Sequence, residues 1–471
     1  MKRIILLLSL LGLVTDSTYS QVKKKTSTGS KAKILGKRMF PARLSGEKII
    51  PYPIYQKKMP NGLNVVTVPF SSPGLASFYI VVRAGSRNEI EAGKSGFAHF
   101  FEHMMFRGTE KYPSHKYSEA LKRTGASANA NTSLDRTVYH MTGNASKLNK
   151  MFELEADRFQ NLHYSLPDFK TEAGAVKGEY TKNAASPYGQ LNEKLVETAF
   201  KTHPYAHTTI GYFNDIVDMP NQYEYSIEFF KRFYRPEYAT IIVVGDVTPA
   251  KVEALANEYF GKWQRGTYVA QIPAEPVQAE TRYVHLEKAG FPPYLELDFK
   301  SPAFSDSSLD IAALDVLSSI VFSEKSELYK KLVLNEQKAR SLSSSFNYTI
   351  DPYLFSINAS LRKAEDMQYV KNEIMKALEA AKTTVPDQKI LDETKSRIKY
   401  SFAMDNDTPT SIAESLSNFV WLTGDPESVN KLYALYDKVK AEDVMRVANK
   451  YFVTTSLTVS SISVSKENEI K

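Results

Sequence analysis

The chain has 471 residues, is 42% hydrophobic and 12% aromatic, carries a formal net charge of +7 and contains no cysteine. So much apolar residue over such a length predicts two or more packed domains. The missing cysteine excludes disulfides and thiolate ligands from its stability and its chemistry.

Residues 1–20 read as a secretory signal peptide: Lys2 and Arg3, an apolar run over 4–14, then Thr18-Tyr19-Ser20 before Gln21. The apolar run is too short to span a bilayer, and no later segment is long enough, so no transmembrane segment is expected. No cysteine follows the cleavage site, which argues against a lipid anchor. The expectation is an exported, soluble protein, periplasmic in a Gram-negative cell. Residues 21–47 form a basic, flexible leader. Six lysines and one arginine fall between residues 23 and 38 with no acid among them; without these and the charges of the signal, the rest stands near −1. A nucleic-acid surface would place its cations on a folded face; these lie in a Lys/Ser/Thr/Gly stretch with little to bury, so no nucleic-acid partner is expected.

The first folded element is a buried strand over 77–83 (SFYIVVR) followed by Ala84-Gly85-Ser86. Next comes His99-Phe100-Phe101-Glu102-His103, on an apolar helix. Residues i and i+4 share a helix face with i+3 beside them, so His99 and His103 can grip one cation while Glu102 reaches into the space alongside. Two neutral nitrogen ligands and a neighbouring base are what metal-assisted hydrolysis requires. The order inverts the commoner His-Glu-x-x-His and is the inverzincin pattern. The bland alternative is a helix with two partly buried histidines paired to acids.

Residues 171–183 read as an amphipathic helix carrying Glu172 and Glu179 seven residues apart. Seven residues are nearly two turns, so both carboxylates face the same way. A site with two histidines wants one carboxylate ligand; the other can hold a ligand imidazole by its free N–H. Spacing does not say which does which. His203 and His207 repeat the i, i+4 spacing, but Pro204 argues against a ligand pair within a helix. His115, His140, His163 and His285 have no partner spacing and read as structural or surface residues.

The Pro/Ala-rich stretch around Gln271 to Pro276 marks a linker over 269–285, dividing a first domain (48–268) from a second (286–468). The sides look like copies. A second buried strand, 294–300 (YLELDFK), puts Leu295 217 residues after Phe78. Phe233-Tyr234 leads into a strand at 240–244, as Tyr451-Phe452 leads into one at 457–464. Order and spacing argue for an internally duplicated α+β unit. The counterpart of His99 is Val316, in the apolar helix beginning at Leu309, so only the first half carries ligands.

The run Gly96-Phe97-Ala98-His99-Phe100-Phe101-Glu102-His103-Met104-Met105-Phe106-Arg107-Gly108-Thr109 resembles the zinc helix of the pitrilysin/insulinase peptidases. The similar branch is the short two-domain one that includes mitochondrial processing peptidase and bacterial periplasmic homologues. Asn129-Ala130-Asn131-Thr132-Ser133, Asp135, Thr137-Val138-Tyr139, the spacing of Glu172 and Glu179, His203-Pro204-Tyr205 and Thr209-Ile210-Gly211 extend the resemblance over nearly all of the mature chain. It implies an α+β fold of two homologous domains, each a mainly antiparallel sheet backed by helices, arranged as a clamshell. It further implies His99, His103 and Glu179 as ligands of one zinc per chain, Glu102 as the catalytic base and Glu172 as the partner orienting a ligand. Residues 129–133 would lie on the edge strand along which an extended peptide pairs, with Asn129, Ala130, Asn131 and His203 as substrate contacts.

The expected activity is a zinc metalloendopeptidase cutting extended peptides or unfolded segments; the alternative is a non-catalytic scaffold or binding subunit keeping a structural zinc. One departure stands out. Relatives complete in themselves carry an arginine and, seven residues later, a tyrosine in the second half, where this chain has Val333 and Arg340. Valine cannot donate a hydrogen bond to a peptide carbonyl. The resemblance therefore implies a dimer, preferentially with a homologous subunit lacking the zinc motif.

Overall fold

Residues 48–465 and Ile470 are described by the structure, a computed structural model; the signal peptide and basic leader lie outside the described residues. The first half builds a six-stranded sheet from β1 (Tyr55–Lys58), β2 (Asn64–Pro69), β3 (Leu75–Val82), β4 (Ser127–Thr132), β5 (Thr137–Asn144) and β6 (Ala239–Gly245), in the order β1-β2-β6-β3-β5-β4. Its helices include α1 (Phe97–Met104), α2 (Ser114–Thr124), α3 (Leu148–Asn161), α4 (Leu166–Ala184) and α5 (Pro187–Ala199). The second half forms a five-stranded sheet from β7 (Arg282–Glu287), β8 (Tyr294–Lys300), β9 (Ala339–Phe346), β10 (Leu354–Leu361) and β11 (Leu457–Ser463), ordered β7-β11-β8-β10-β9.

The second order repeats the first without β1, and the single parallel pair recurs at the same place, β2 with β6 and β7 with β11. The fold is thus α+β, two homologous sheet-and-helix domains. β7 begins at Arg282, so the last residues of the 269–285 segment are strand. The rest of that segment is anchored: the Glu275 carboxylate accepts from the backbone N–H groups of Lys201, Thr202 and His203.

Strand alternation explains how the halves join. In β3, Phe78, Ile80 and Val82 point into a core shared with Phe97, Phe100 and Phe101 of α1 and Phe152 of α3. Tyr79 and Val81, on the opposite face, pack into a second core that includes Ile412, Ala413 and Leu416 from helix Pro409–Ser417 of the other half. Reciprocally, α5 of the first half crosses onto β7 and β11, where Leu191 packs on Val284, Leu286 and Ile462. Arg282 and Lys300 close the C-terminal end of α5 by donating to the carbonyls of Thr198 and Ala199, where cations suit the helix dipole. Each sheet therefore has one face covered by its own helices and the other by a helix lent from its twin. Among the described residues β4 pairs only with β5, at one edge of the first sheet.

Candidate metal centre

The helix carrying the motif is short, apolar and fixed at its start. Gly96 occupies its N-cap with φ of 90°, a left-handed conformation that side chains resist, and a Cβ there would stand 2.6 Å from the Ile210 carbonyl oxygen. Glycine cannot cap with a side chain; the buried Glu89 does so instead, accepting from Gly96 N and Ala98 N at 2.7 Å each. Its carboxyl oxygens satisfy amides that would otherwise be unpaired, while burial pushes its pKa up to about 8. Phe97, Phe100, Phe101 and Met104 bury one face of α1, which turns His99, Glu102 and His103 towards the other.

α4 lies against α1 and begins where Ser165 caps the Asp168 amide. It delivers both glutamates. Glu179 Oε2 lies 3.6 Å from His99 Nε2 and 3.4 Å from His103 Nε2, and the three ligand atoms fall within 4.8 Å of one another, the one such group found among the described residues. Tetrahedral zinc with bonds of roughly 2.0–2.1 Å holds its ligand atoms about 3.3–3.4 Å apart, close to the two distances from Glu179, so this donor set suits that ion. Glu172 does not face the same point: its Oε1 is 3.0 Å from His103 Nδ1 and its Oε2 takes the Arg107 Nε–H. That bond keeps the proton on Nδ1 and leaves the Nε2 lone pair for a metal.

The two imidazoles titrate apart, and a metal would displace the Nε2 proton that His103 carries near neutrality. Burial, reinforced by His103, holds His99 down at about 4, so this imidazole is neutral. His103 is pulled down by burial, but its hydrogen bonds with Glu172 and Glu179 prevail and raise it to about 9. The His103 contact chiefly holds Glu179 below the usual carboxylate range. Glu172 is pushed up by burial, yet His103 and Arg107 outweigh this and leave it lowered. Glu102 is raised by burial against the contrary pull of the Thr132 hydroxyl and backbone; a carboxylate with raised pKa is a better proton acceptor near neutrality.

Asn129 and Asn131 are exposed on β4, while Ala130 is buried, 6% exposed, so only its main chain is offered outward. His203 is not brought to this centre's ligands. Its ring is 3% exposed, with Nε2 at 2.9 Å from Asp351 of the second half and Nδ1 accepting from Tyr205 N. It bridges the halves. Glu89, Arg107 and Thr132 were not singled out by the sequence; a glycine at the N-cap of an apolar helix, with Glu89 a few residues upstream, is the signal that points to the first of them.

With the fold and the triad in place, comparison with known proteins is decisive. The chain is 30% identical over 411 residues to the zinc protease PqqE of Helicobacter pylori, covering 84% of this chain and 90% of that one. The chain belongs to the M16 peptidase family. The model of insulinase (peptidase family M16) matches residues 69–212 of this M16 chain, and that of the peptidase M16 inactive domain matches 222–398. A probable mitochondrial-processing peptidase subunit beta of Arabidopsis thaliana is 26% identical over 421 residues, 86% of this chain and 77% of that one. The crystal structure of a protease from Helicobacter pylori superimposes with a TM-score of 0.80 at 29% identity, covering 88% of this chain and all of the other. The periplasmic protease PqqL of Escherichia coli shares the fold, with a TM-score of 0.71 at 18% identity over 88% of this chain and 48% of that one.

Proposed function

We propose that this chain is a zinc-dependent endopeptidase that cuts extended peptides or unfolded protein segments after export to the periplasm. One observation carries the reading. Glu179 and two imidazole nitrogens converge, with Glu179 3.6 and 3.4 Å from the two Nε2 atoms, and a half-buried Glu102 of raised pKa lies on the helix of the two histidines. When bound, zinc would supply Lewis acidity towards the scissile carbonyl and make a water easier to deprotonate. Glu102 takes that proton and returns it to the leaving amine. Glu172 keeps His103 in the tautomer that offers Nε2, and Arg107 keeps Glu172 charged. An incoming chain adds to the free side of β4, where main-chain hydrogen bonds hold it with little regard for sequence.

Among the described residues no helix is long and apolar enough to cross a bilayer. The second half supports a paired enzyme. Val333 packs against that half's own core, and Arg340 is exposed on β9, next to the register shift of the β9–β10 pair. Neither reproduces the arginine and tyrosine of self-sufficient relatives, so a homologous subunit without zinc ligands is the expected partner. The deciding experiment is Glu102→Gln, which should bind zinc as the wild type does and cleave nothing; wild-type turnover by that variant would sink the mechanism.

A further inference from the structure

A cavity of about 430 Å³ opens between the halves at the end of β4. One wall is the β4–β5 turn, Ser133 to Arg136; the other is the stretch from Phe346 to Thr349 together with Asn418, Phe419 and Trp421. The turn continues directly from Thr132, whose hydroxyl and backbone reach Glu102. A peptide paired along β4 would therefore meet this cavity within a residue or two of the bond being cut.

Two features give the cavity a sign. Arg136, half-buried, makes no ion pair among the described residues; its guanidinium donates only to two neutral amide oxygens, Asn131 Oδ1 on β4 at 2.8 Å and Asn418 Oδ1 across the cavity at 2.7 Å. A guanidinium has five N–H donors, so it retains capacity for another acceptor. The one acid in the lining, Asp135, is already committed, accepting from Tyr205 Oη at 2.7 Å and Ile350 N at 3.1 Å and lying 3.8 Å from Arg87. Phe346 and Phe419 supply apolar walls. The lining thus holds a cation outside any ion pair among the described residues and no uncommitted acid, with Glu414 and then Asp135 acting on that cation at longer range.

We propose that this cavity is a specificity site that takes a carboxylate of the peptide being cleaved, held by the Arg136 guanidinium. The assignment rests on the peptidase reading given above. Two sources offer the same chemistry: an acidic side chain beside the scissile bond, or the C-terminal carboxylate of a short peptide.

The test measures binding, so that it stands apart from turnover. Fluorescein-labelled neutral peptides are titrated with the Glu102→Gln chain, with a single Glu or its Gln twin placed at each successive position, and with free-acid or amidated C-termini. One Glu position, or the free acid, should bind at least about tenfold more tightly than its neutral twin, as expected for a charge-assisted hydrogen bond. Arg136→Met in the same background should abolish that preference and Arg136→Lys restore part of it, since lysine keeps the charge without the fork. A preference that follows the side chain identifies the first source; one that follows the terminus identifies the second. Absence of any preference, or its survival in a folded Arg136→Met chain, overturns the proposal. If thermal melts show Arg136→Met unfolded, Arg136→Lys is read instead: a weakened preference supports the site, an unchanged one overturns it. Cleavage of the same peptides by the wild-type chain separates the two ideas, because preference without cleavage sinks the peptidase reading alone, and cleavage without preference sinks this site alone.

Discussion

The division of labour between the two glutamates of α4 is the sharpest consequence of the geometry. Both sit on one helix face, yet Glu179 meets the two Nε2 atoms while Glu172 meets His103 Nδ1 and Arg107. Glu172→Gln keeps the size and one acceptor oxygen but places an amide N–H₂ against a second donor, so one of the two buried hydrogen bonds fails and the other loses its charge. His103 then loses its orientation but not its ligand atom. Losses of this kind weaken metal binding about 10–100-fold, or roughly 1.4–2.7 kcal/mol. Glu179→Gln removes the only anionic ligand and should weaken zinc well beyond that range. Competition against a chromophoric chelator measures both affinities on folded protein. Equal losses in the two variants, or a greater loss for Glu172→Gln, would refute the assignment.

Other outcomes follow from the same contacts. Glu89→Ala leaves the Gly96 and Ala98 amides unpaired under buried surroundings, a loss of about 1–3 kcal/mol for each; calorimetry should show a clear fall in Tm, and an unchanged Tm would mean that the cap does not hold α1. Asp351 joins the halves: His203, then Arg87, hold its carboxyl down to about 2 from 3.8. A depressed carboxylate contributes stability above its ordinary pKa and loses it as pH falls through the folded value. Asp351→Asn should therefore destabilise by about 1 kcal/mol near neutrality, a modest figure because the carboxylate is 31% exposed and screened, and the difference from wild type should vanish towards about pH 2; a difference independent of pH contradicts this. The purified chain alone should turn over peptides weakly and gain activity when co-expressed with a homologue lacking His-x-x-Glu-His, whereas full activity as a monomer would remove the need for a partner.

His99, Glu102 and His103 were legible because a single helix fixes their relation, and one period suffices to read it. The duplicated sheets were legible for a similar reason: β3 and β8 alternate or run apolar in the same way, and paired aromatics precede β6 and β11. What depends on distant contacts was not. Seven-residue spacing puts Glu172 and Glu179 on one face, and only the packing of α4 on α1 decides which imidazole atom each one meets. The apolar stripes of α5 and of helix Pro409–Ser417 carry no mark of which sheet they cover, so the mutual exchange of helices between the halves is invisible in sequence. β7 alternates weakly, with polar residues on its open face, and so its first residues read as linker. His203 resembled a substrate contact, but its ring is tied to Asp351, 148 residues away. Arg136 looks like any turn arginine until Asn418 and Trp421 arrive opposite it.

In the proposed reaction one zinc, held by His99, His103 and Glu179, works with Glu102 to hydrolyse peptides. Zinc content and peptide cleavage measured on the same preparations of wild type and Glu102→Gln, each with and without the homologous partner, test it most directly. Both proteins should hold one zinc per chain, the wild type should cleave in a way that chelation removes and zinc restores, and the variant should not cleave. A wild-type chain without zinc, or a zinc-loaded Glu102→Gln chain that cleaves as fast as wild type, would contradict it.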